Sequence, residues 1–252
     1  APASLYLGCE HRFSEKDGVK YCGYDMSEYN RFSVKKYLQT IESQHGKSPN
    51  LKPVPTPFLE SDHKEAPQAR PAYDGPSVTC PWCKHSFPDE KLIRESPGSA
   101  KPKAPAKPEP KPMNRQAASL VMRVMYAARN ARWDLLRPSV NLSKKLTKWD
   151  DQAGKELHRL MSYIWHTTGS NALTQYGYIG DQPEDLTLHV YADADFAGDV
   201  PSQKSTTGVV LVLEGPNSFY PLQALSKQQG SVASSTPEAE IVAGHTALKD
   251  LL

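Results

Sequence analysis

Cysteine is scarce in this sequence, with 4 residues among 252, which is too few for a disulfide-stabilised scaffold. No apolar run approaches the roughly 18–20 residues that span a bilayer, so we expect no membrane partner. The opening "APASLYLGCEHRF" lacks a basic stretch followed by an apolar one, and we expect no secretory signal. It also lacks an initiator methionine, which favours a piece of a longer chain. These features favour an intracellular location, cytoplasmic or nuclear.

An excess of charge of one sign is also missing. Lys and Arg number 30 against 28 for Asp and Glu, so the overall charge does not require a nucleic-acid partner. Proline, in contrast, is abundant at 22 residues, several of them in "SPGSAKPKAPAKPEPKP". Such a composition cannot bury a core, so residues 61–115 are predicted to form a disordered, solvated insertion. Its local excess of lysine leaves open a tether that attracts phosphate.

Residues 1–60 contain one predicted helix. Its apolar side chains recur at near-helical spacing, and these are Tyr29, Phe32, Tyr37 and Ile41. Ser27 is the expected N-cap of this helix. The prolines of "LKPVPTPF" then predict an extended segment.

Residues 116–180 are predicted to form a helical connection. Both "QAASLVMRVMYAAR" and "DDQAGKELHRLMSYIWHTT" place apolar residues along one side of a helix. Pro138 is expected to break or kink the region between them. Asp150 or Asp151 is expected near the start of the second helix, and Gly169 is expected to end it.

Residues 181–252 change to a period of two and then return to a helix. The stretches "LTLHVYADADFA", "TTGVVLVLEG" and "FYPLQALSK" predict three strands of an antiparallel meander. The stretch "SSTPEAEIVAGHTALKDLL" predicts a helix, with Ser235 or Thr236 as its cap and Glu238 at capping-box spacing from Ser235. The expected fold class is therefore α+β.

Acidic residues gather where the first of these strands ends. Asp193 lies where the strand pattern otherwise favours Val or Ile, and Glu240 lies one turn into the helix. Hard divalent cations such as Mg²⁺ take carboxylate ligands, so an acid on each of two packed elements is consistent with a metal site. The alternative is structural, because Asp193 and Asp195 can end a strand and Glu238 and Glu240 favour a helix N-terminus.

Four short motifs follow one another here, "YADADFAGD", "KSTTG", "ALSKQQG" and "SSTPEAEI". In residues and order they resemble Y-S-D-A-D-W-A-G, R-S-T-S-G, W-S-S-K-K-Q and S-S-T-E-A-E-Y of the ribonuclease H domain of copia-type long-terminal-repeat retrotransposon Pol polyproteins. Upstream, "YLGCEH" resembles the strand that ends the polymerase palm, and "KPVPTPF" resembles the segment that follows the thumb. The resemblance covers the chain outside residues 61–112.

The resemblance implies a division into four segments. Residues 1–60 would be a reverse transcriptase palm-end and thumb remnant, and residues 61–115 an insertion. Residues 116–180 would be the helical connection. Residues 181–252 would be the N-terminal half of a ribonuclease-H-like domain, with three antiparallel strands and one helix.

The resemblance also implies a reaction, the hydrolysis of the RNA strand of an RNA–DNA hybrid. Asp193 and Glu240 would be catalytic and would bind Mg²⁺ or Mn²⁺, and Asp195 would be a further motif acid at the metal. Two later Asp residues of the family have no counterpart before Leu252. We therefore expect this chain alone to be inactive as a nuclease. We also expect an open sheet edge at the strand of Asp193, which a protein partner could complete.

A second motif, "CPWCKH", makes Cys80, Cys83 and His85 candidate zinc ligands. A closed zinc site needs a fourth ligand, and the remaining candidates are His63, Cys9, His11 and Cys22. The alternative is a free dithiol turn. This motif belongs with a second functional hypothesis, a non-catalytic remnant or domesticated subunit that binds nucleic acid or protein.

Overall fold

The computed structural model describes residues 4–59, 77–79, 86–88, 113–169, 172–199 and 202–251. Within them lie five α-helices and a seven-stranded sheet whose neighbouring strands are all antiparallel. The predicted α+β class is confirmed. No helix among these residues combines the length and apolar character that crossing a membrane requires.

A β-hairpin opens the described chain. After the short strand β1 (Leu5–Tyr6), β2 (Cys9–Lys16) pairs with β3 (Val19–Asp25). The turn residues Asp17 and Gly18 both have positive φ, 53° and 78°, as a two-residue hairpin turn with a right-handed twist requires. An Asp-Gly pair favours such a turn. The hairpin was not predicted from the periodicity of apolar residues.

Helix α1 (Ser27–His45) follows β3 directly. The expected N-cap, Ser27, is wrong by one position, because Met26 occupies the cap and makes no side-chain cap hydrogen bond. The carboxylate of Asp25 instead accepts a hydrogen bond of 2.7 Å from the Ser27 N–H. Phe32, predicted on the apolar side, is 55% exposed, whereas Tyr37 is buried.

The segment predicted to be helical contains three helices, α2 (Met113–Asn130), α3 (Leu136–Lys144) and α4 (Asp151–His166), but its last residues form a strand rather than a helix. Short 3₁₀ turns precede and follow α3. Pro138 lies in the first turn of α3, where backbone N–H groups have no partner within the helix. The N–H that proline lacks is therefore not needed there. The interruption therefore precedes Pro138.

The ends of α4 agree in part with the prediction. Asp150 is its N-cap, and its carboxylate accepts a hydrogen bond of 2.7 Å from the Ala153 N–H. The helix ends at His166, three residues before the predicted Gly169. Gly169 has a φ of 86°, a backbone conformation that residues other than glycine rarely adopt.

The helices pack α1 against α2 and α4 around one apolar core. Its fully buried large side chains from α2 and α4 are Leu120, Val121, Val124, Leu157, Leu160, Met161 and Ile164. These residues recur at the helical spacing visible in the sequence, so each helix turns a single apolar side to the core.

The segment after α1, residues 46–59, lies along α4. The His166 imidazole bonds the Leu51 carbonyl oxygen at 2.9 Å, and the Arg159 Nε donates to the Thr56 carbonyl oxygen at 3.1 Å. The prolines of this segment cannot donate backbone hydrogen bonds, so side chains of α4 hold it in place.

The three predicted C-terminal strands are present as β7 (Thr187–Asp199), β8 (Lys204–Gly215) and β9 (Ser218–Gln228). They form an antiparallel meander, and α5 (Thr236–Leu251) packs against β7 and β8. The predicted helix start at Ser235 or Thr236 is also confirmed.

The sheet is larger than the predicted three strands, because its order is β1-β2-β3-β6-β9-β8-β7. The added strand β6 (Gln175–Ile179) pairs with β3 on one side and meets β9 at Tyr178 and Phe219 on the other. The N-terminal hairpin and the C-terminal meander therefore share one sheet. Strand β7, which carries Asp193, is an edge strand of this sheet, as expected.

A second, two-stranded sheet lies within the segment predicted as disordered. Strand β4 (Ser77–Thr79) pairs antiparallel with β5 (Ser86–Pro88). For these six residues the prediction of disorder is wrong, because Val78 pairs with Phe87 and Thr79 with Ser86 across the two strands. The candidate zinc ligands Cys80, Cys83 and His85 lie outside the described residues.

Replacing Leu160 by Ala should lower the free energy of unfolding by about 2–5 kcal/mol, because the side chain is fully buried in the helical core. Leu248→Ala on α5 is the matched control, since Leu248 is 65% exposed, and it should change the value by less than about 0.5 kcal/mol. Urea unfolding measures both. Equal losses would contradict the assigned core.

Stability should fall as the pH drops through about 6.5, the pKa of a free histidine. The ring of His158 contacts the Tyr37 hydroxyl at 2.9 Å, and burial lowers the pKa of His158. The unfolded chain then takes up a proton that the folded chain resists, so acid favours unfolding. The variant His158→Gln should show a smaller loss of urea midpoint between pH 7.5 and pH 5; an unchanged loss would contradict the assignment.

Candidate functional site

The alternation of side chains along β7 decides where its acidic residues point. Ala194 is buried and packs with Ala239 and Ala243 of α5. Successive side chains of a strand point to opposite faces of the sheet, so Asp193 and Asp195 point away from α5. The two acids therefore lie on the face that carries α3.

Asp193 is exposed on this face. It lies opposite Gly208 of β8, and a methyl group added to Gly208 would meet no atom within 4 Å. Space is therefore open beside the carboxylate.

Asp195, in contrast, is engaged by the protein itself. Its carboxylate forms an ion pair with the guanidinium group of Arg137 on α3, and that group also lies 5.1 Å from the centre of the Phe58 ring. On its other side the carboxylate lies against Gly198, where an added Cβ would come within 1.9 Å of Asp195 Oδ2. The glycine of the motif is thus required by the position of the Asp195 side chain.

Asp199 organises the turn between β7 and β8. Its carboxylate accepts hydrogen bonds from the Ser202 hydroxyl and, at 2.7 Å, from the Gln228 amide. Burial acts to raise the pKa of Asp199, but these hydrogen bonds and the charge of Lys144 outweigh it, so the pKa lies below its usual range. The carboxylate stays ionised and closes the turn.

The two acids at the start of α5 differ in their surroundings. Glu238 reaches back and accepts hydrogen bonds of 2.7 Å from both the N–H and the hydroxyl of Ser234, which lowers its pKa. Ser235 Oγ accepts from the Glu238 N–H at 3.3 Å, as the capping-box spacing predicted. Glu240 is half-buried beside Ala239, the residue that packs on Ala194.

Asp193 and Glu240 are therefore placed differently with respect to the sheet. Glu240 lies on α5, which packs on the face of the sheet to which Ala194 points. Asp193 points to the opposite face of the sheet. Within the part of the chain that the structure describes, no three His, Cys, Asp or Glu side chains converge as a metal would require.

Basic side chains of α3 and the turn after it face the acids of β7. Burial lowers the pKa of Lys144, which lies near enough to Asp199 for the two charges to interact. Lys145 contacts both carboxylate oxygens of Glu156, at 2.7 and 2.5 Å. These charged partners are distant in the sequence and come together only in the tertiary structure.

Two further cysteines weighed as zinc ligands, Cys9 and Cys22, are buried in the sheet. Burial raises the pKa of the Cys9 thiol to about 11. Because zinc binds the thiolate, such a thiol is a poor ligand.

Comparison with known proteins gives one relevant similarity. The chain is 31% identical over 99 residues to the retrovirus-related Pol polyprotein from transposon RE2 of Arabidopsis thaliana. The aligned residues make up 39% of this chain and 6% of that polyprotein, so the chain corresponds to a small part of this relative. No protein-family model and no solved structure matches the chain. The similarity supports a retrotransposon Pol fragment.

Gly198→Ala should destabilise the protein by about 1–3 kcal/mol, because the new methyl group must displace the Asp195 carboxylate and with it the contact to Arg137. Gly208→Ala, also in the sheet region, is the control, since its methyl group meets nothing within 4 Å. Denaturant unfolding of the two variants compares them. A Gly198→Ala variant as stable as Gly208→Ala would show that the Asp195 side chain lies elsewhere.

Proposed function

We propose that this chain derives from the Pol polyprotein of a copia-type retrotransposon and that the parent protein hydrolyses the RNA strand of RNA–DNA hybrids. One observation carries the proposal. The four motifs that resemble the ribonuclease H domain fall in order on β7, β8, β9 and the start of α5, and α5 packs on β7 and β8.

The similarity to a retrotransposon Pol polyprotein supports the Pol origin. Residues of the first motif also have the structural roles that a strand end requires. Gly198 makes room for Asp195, and Asp199 closes the turn into β8.

In the proposed parent reaction, Asp193 and Glu240 would hold Mg²⁺ or Mn²⁺, which would activate water for attack on the phosphodiester. The described arrangement does not fit that role as it stands. Asp193 points to one face of the sheet, whereas the helix that carries Glu240 packs on the other. The carboxylate of Asp195 is already paired with Arg137. We therefore derive no metal-dependent step for the chain itself.

A second function, a non-catalytic binding module, is favoured by the edge of the sheet. Strand β7 has 13 residues, and among the described strands it pairs with one neighbour, β8. Its exposed side chains include Leu188, Tyr191 and Phe196. A strand from a protein partner could pair with the free N–H and C=O groups of this edge.

A cleavage assay tests whether this chain itself has the nuclease activity proposed for the parent protein. The chain, incubated with a labelled RNA–DNA hybrid and Mn²⁺ or Mg²⁺, should leave the RNA strand intact, because Asp193 and Glu240 are not brought together. Asp193→Asn and Glu240→Gln should behave in the same way. Metal-dependent cleavage that is lost in both variants but kept in Asp199→Asn would contradict the binding-module function and establish the nuclease.

A further inference from the structure

The face of β7 that points away from α5 carries a row of polar side chains that β8 holds in position. His189, Tyr191 and Asp193 alternate along β7, so all three point to this face. The carboxylate of Glu214 on β8 accepts hydrogen bonds of 3.1 and 2.9 Å from the Tyr191 hydroxyl and lies 3.4 Å from His189 Nδ1. The rings of His189 and Tyr191 are stacked, with their centres 6.4 Å apart. These side chains are therefore oriented within the single chain.

Asp193 ends this row without a partner of its own. Its carboxylate is exposed and forms no hydrogen bond or ion pair with any residue that the structure describes. The next acid along the strand, Asp195, is in contrast paired with Arg137. Asp193 therefore remains available to a group from outside the chain.

The regular part of β7 has Tyr191 at its centre. Strand β7 pairs with β8 without interruption over nine residues, from Thr187 to Asp195, and the register shifts only between Asp195 and Asp199. No other described strand pairs with β7. Alternate N–H and C=O groups of these nine residues therefore face outward along a straight edge.

A second copy of β7 matches this edge when the two strands run antiparallel about Tyr191. A twofold axis there pairs all nine residues and keeps each face of the sheet on the same side. It brings His189, which can carry a positive charge, opposite the partner's Asp193. Opposed side chains of an antiparallel pair lie about 4.5–5.5 Å apart at Cβ, close enough for this contact. By symmetry the contact forms twice, and Tyr191 lies beside the partner's Tyr191.

The face that α5 covers is matched in the same register. There Val190 lies opposite the partner's Ala192, and Leu188 lies opposite the partner's Ala194. Leu188 is 45% exposed and Ala192 is exposed in the single chain, so the pairing would remove apolar surface from water. Polar side chains thus meet polar ones on one face, and apolar side chains meet apolar ones on the other.

Other registers of the same two strands fit less well. A slip of one residue would bring the polar face of one strand against the apolar face of the other. A slip of two residues shortens the paired run from nine residues to seven. It also places Asp193 opposite the partner's Thr187 or Tyr191 instead of His189. The register centred on Tyr191 is therefore the favoured one.

The joined sheet has room for both copies of α5. Helix α5 packs on β7 and β8, so it lies over this pair of strands. Neighbouring strands are about 4.8 Å apart, so the two copies of α5 would lie roughly 9.6 Å apart across the twofold axis. Packed helices are typically about 8–10 Å apart. The two helices would therefore pack side by side without a clash.

We propose that the chain forms a twofold-symmetric homodimer by antiparallel pairing of β7 with β7 of a second copy. The dimer rests on the second proposed function, a binding module at the edge of β7, and gives that module its partner. One strand pair and one helix contact make a small interface, so the dimer exchanges with the monomer and is populated at roughly 10–500 µM.

Sedimentation velocity at increasing concentration tests the dimer. The mass should rise from 27.9 kDa toward twice that value across about 5–500 µM. Hydrogen exchange should slow with concentration at every second backbone amide between Thr187 and Asp195, because only alternate N–H groups face the free edge.

Charge exchange between two variants tests the register. In His189→Asp and in Asp193→His, like residues face each other twice, so each variant alone should associate roughly 2- to 30-fold more weakly than the unmodified chain. An equimolar mixture should regain the lost affinity, since each introduced residue then faces its complement, as do the remaining His189 and Asp193. The control is His45→Asp at the exposed end of α1, which should associate like the unmodified chain. Circular dichroism confirms that each variant is folded.

Three results would overturn the proposal. A chain that stays monomeric up to about 500 µM would exclude a second copy and assign the edge to a strand of a different protein. Association that neither variant weakens would place the contact on another surface. Weakened association that mixing does not restore would contradict the register. The first result leaves the binding module intact, and metal-dependent cleavage by the chain is measured separately, so the two proposals fail independently.

Discussion

The packing of Ala194 against Ala239 and Ala243 fixes the arrangement on both sides of the C-terminal sheet. A small residue at this point lets α5 approach β7 closely, and the alternation of the strand then directs Asp193 and Asp195 to the other face. There Asp195 meets Arg137, so the ion pair between β7 and α3 depends on the same alternation. A shift of one residue in the register of β7 would turn the acids toward α5 and bury them without partners.

Strand β6 makes a second constraint, because it connects segments far apart in the sequence. It pairs with β3 from Lys20 to Tyr24 and reaches β9 through Tyr178. The hydroxyl groups of Tyr24 and Tyr220 meet across this junction. The N-terminal hairpin and the C-terminal meander share one sheet and are therefore expected to fold together.

The sequence predicted correctly those elements whose apolar residues recur with a clear helical or strand period. The meander, the start of α5 and the apolar sides of α2 and α4 follow from residue patterns within one element. Strand β6 was missed because it has five residues with a glycine at the centre, too short a run for its alternation to be recognised. The exposure of Phe32, the engagement of Asp195 by Arg137 and the faces taken by Asp193 and Glu240 depend on which elements pack together, and a local pattern does not contain that information.

Asp193 and Glu240 lie on opposite faces of the sheet, so we expect that they do not bind one metal ion together in this chain. Titration with Mn²⁺, followed by paramagnetic broadening of backbone amide signals in nuclear magnetic resonance spectra, tests it directly. We expect no saturable broadening shared by the amides of Asp193 and Glu240. Saturable broadening of both signals, abolished by Asp193→Asn, would show instead that the two carboxylates converge on one ion.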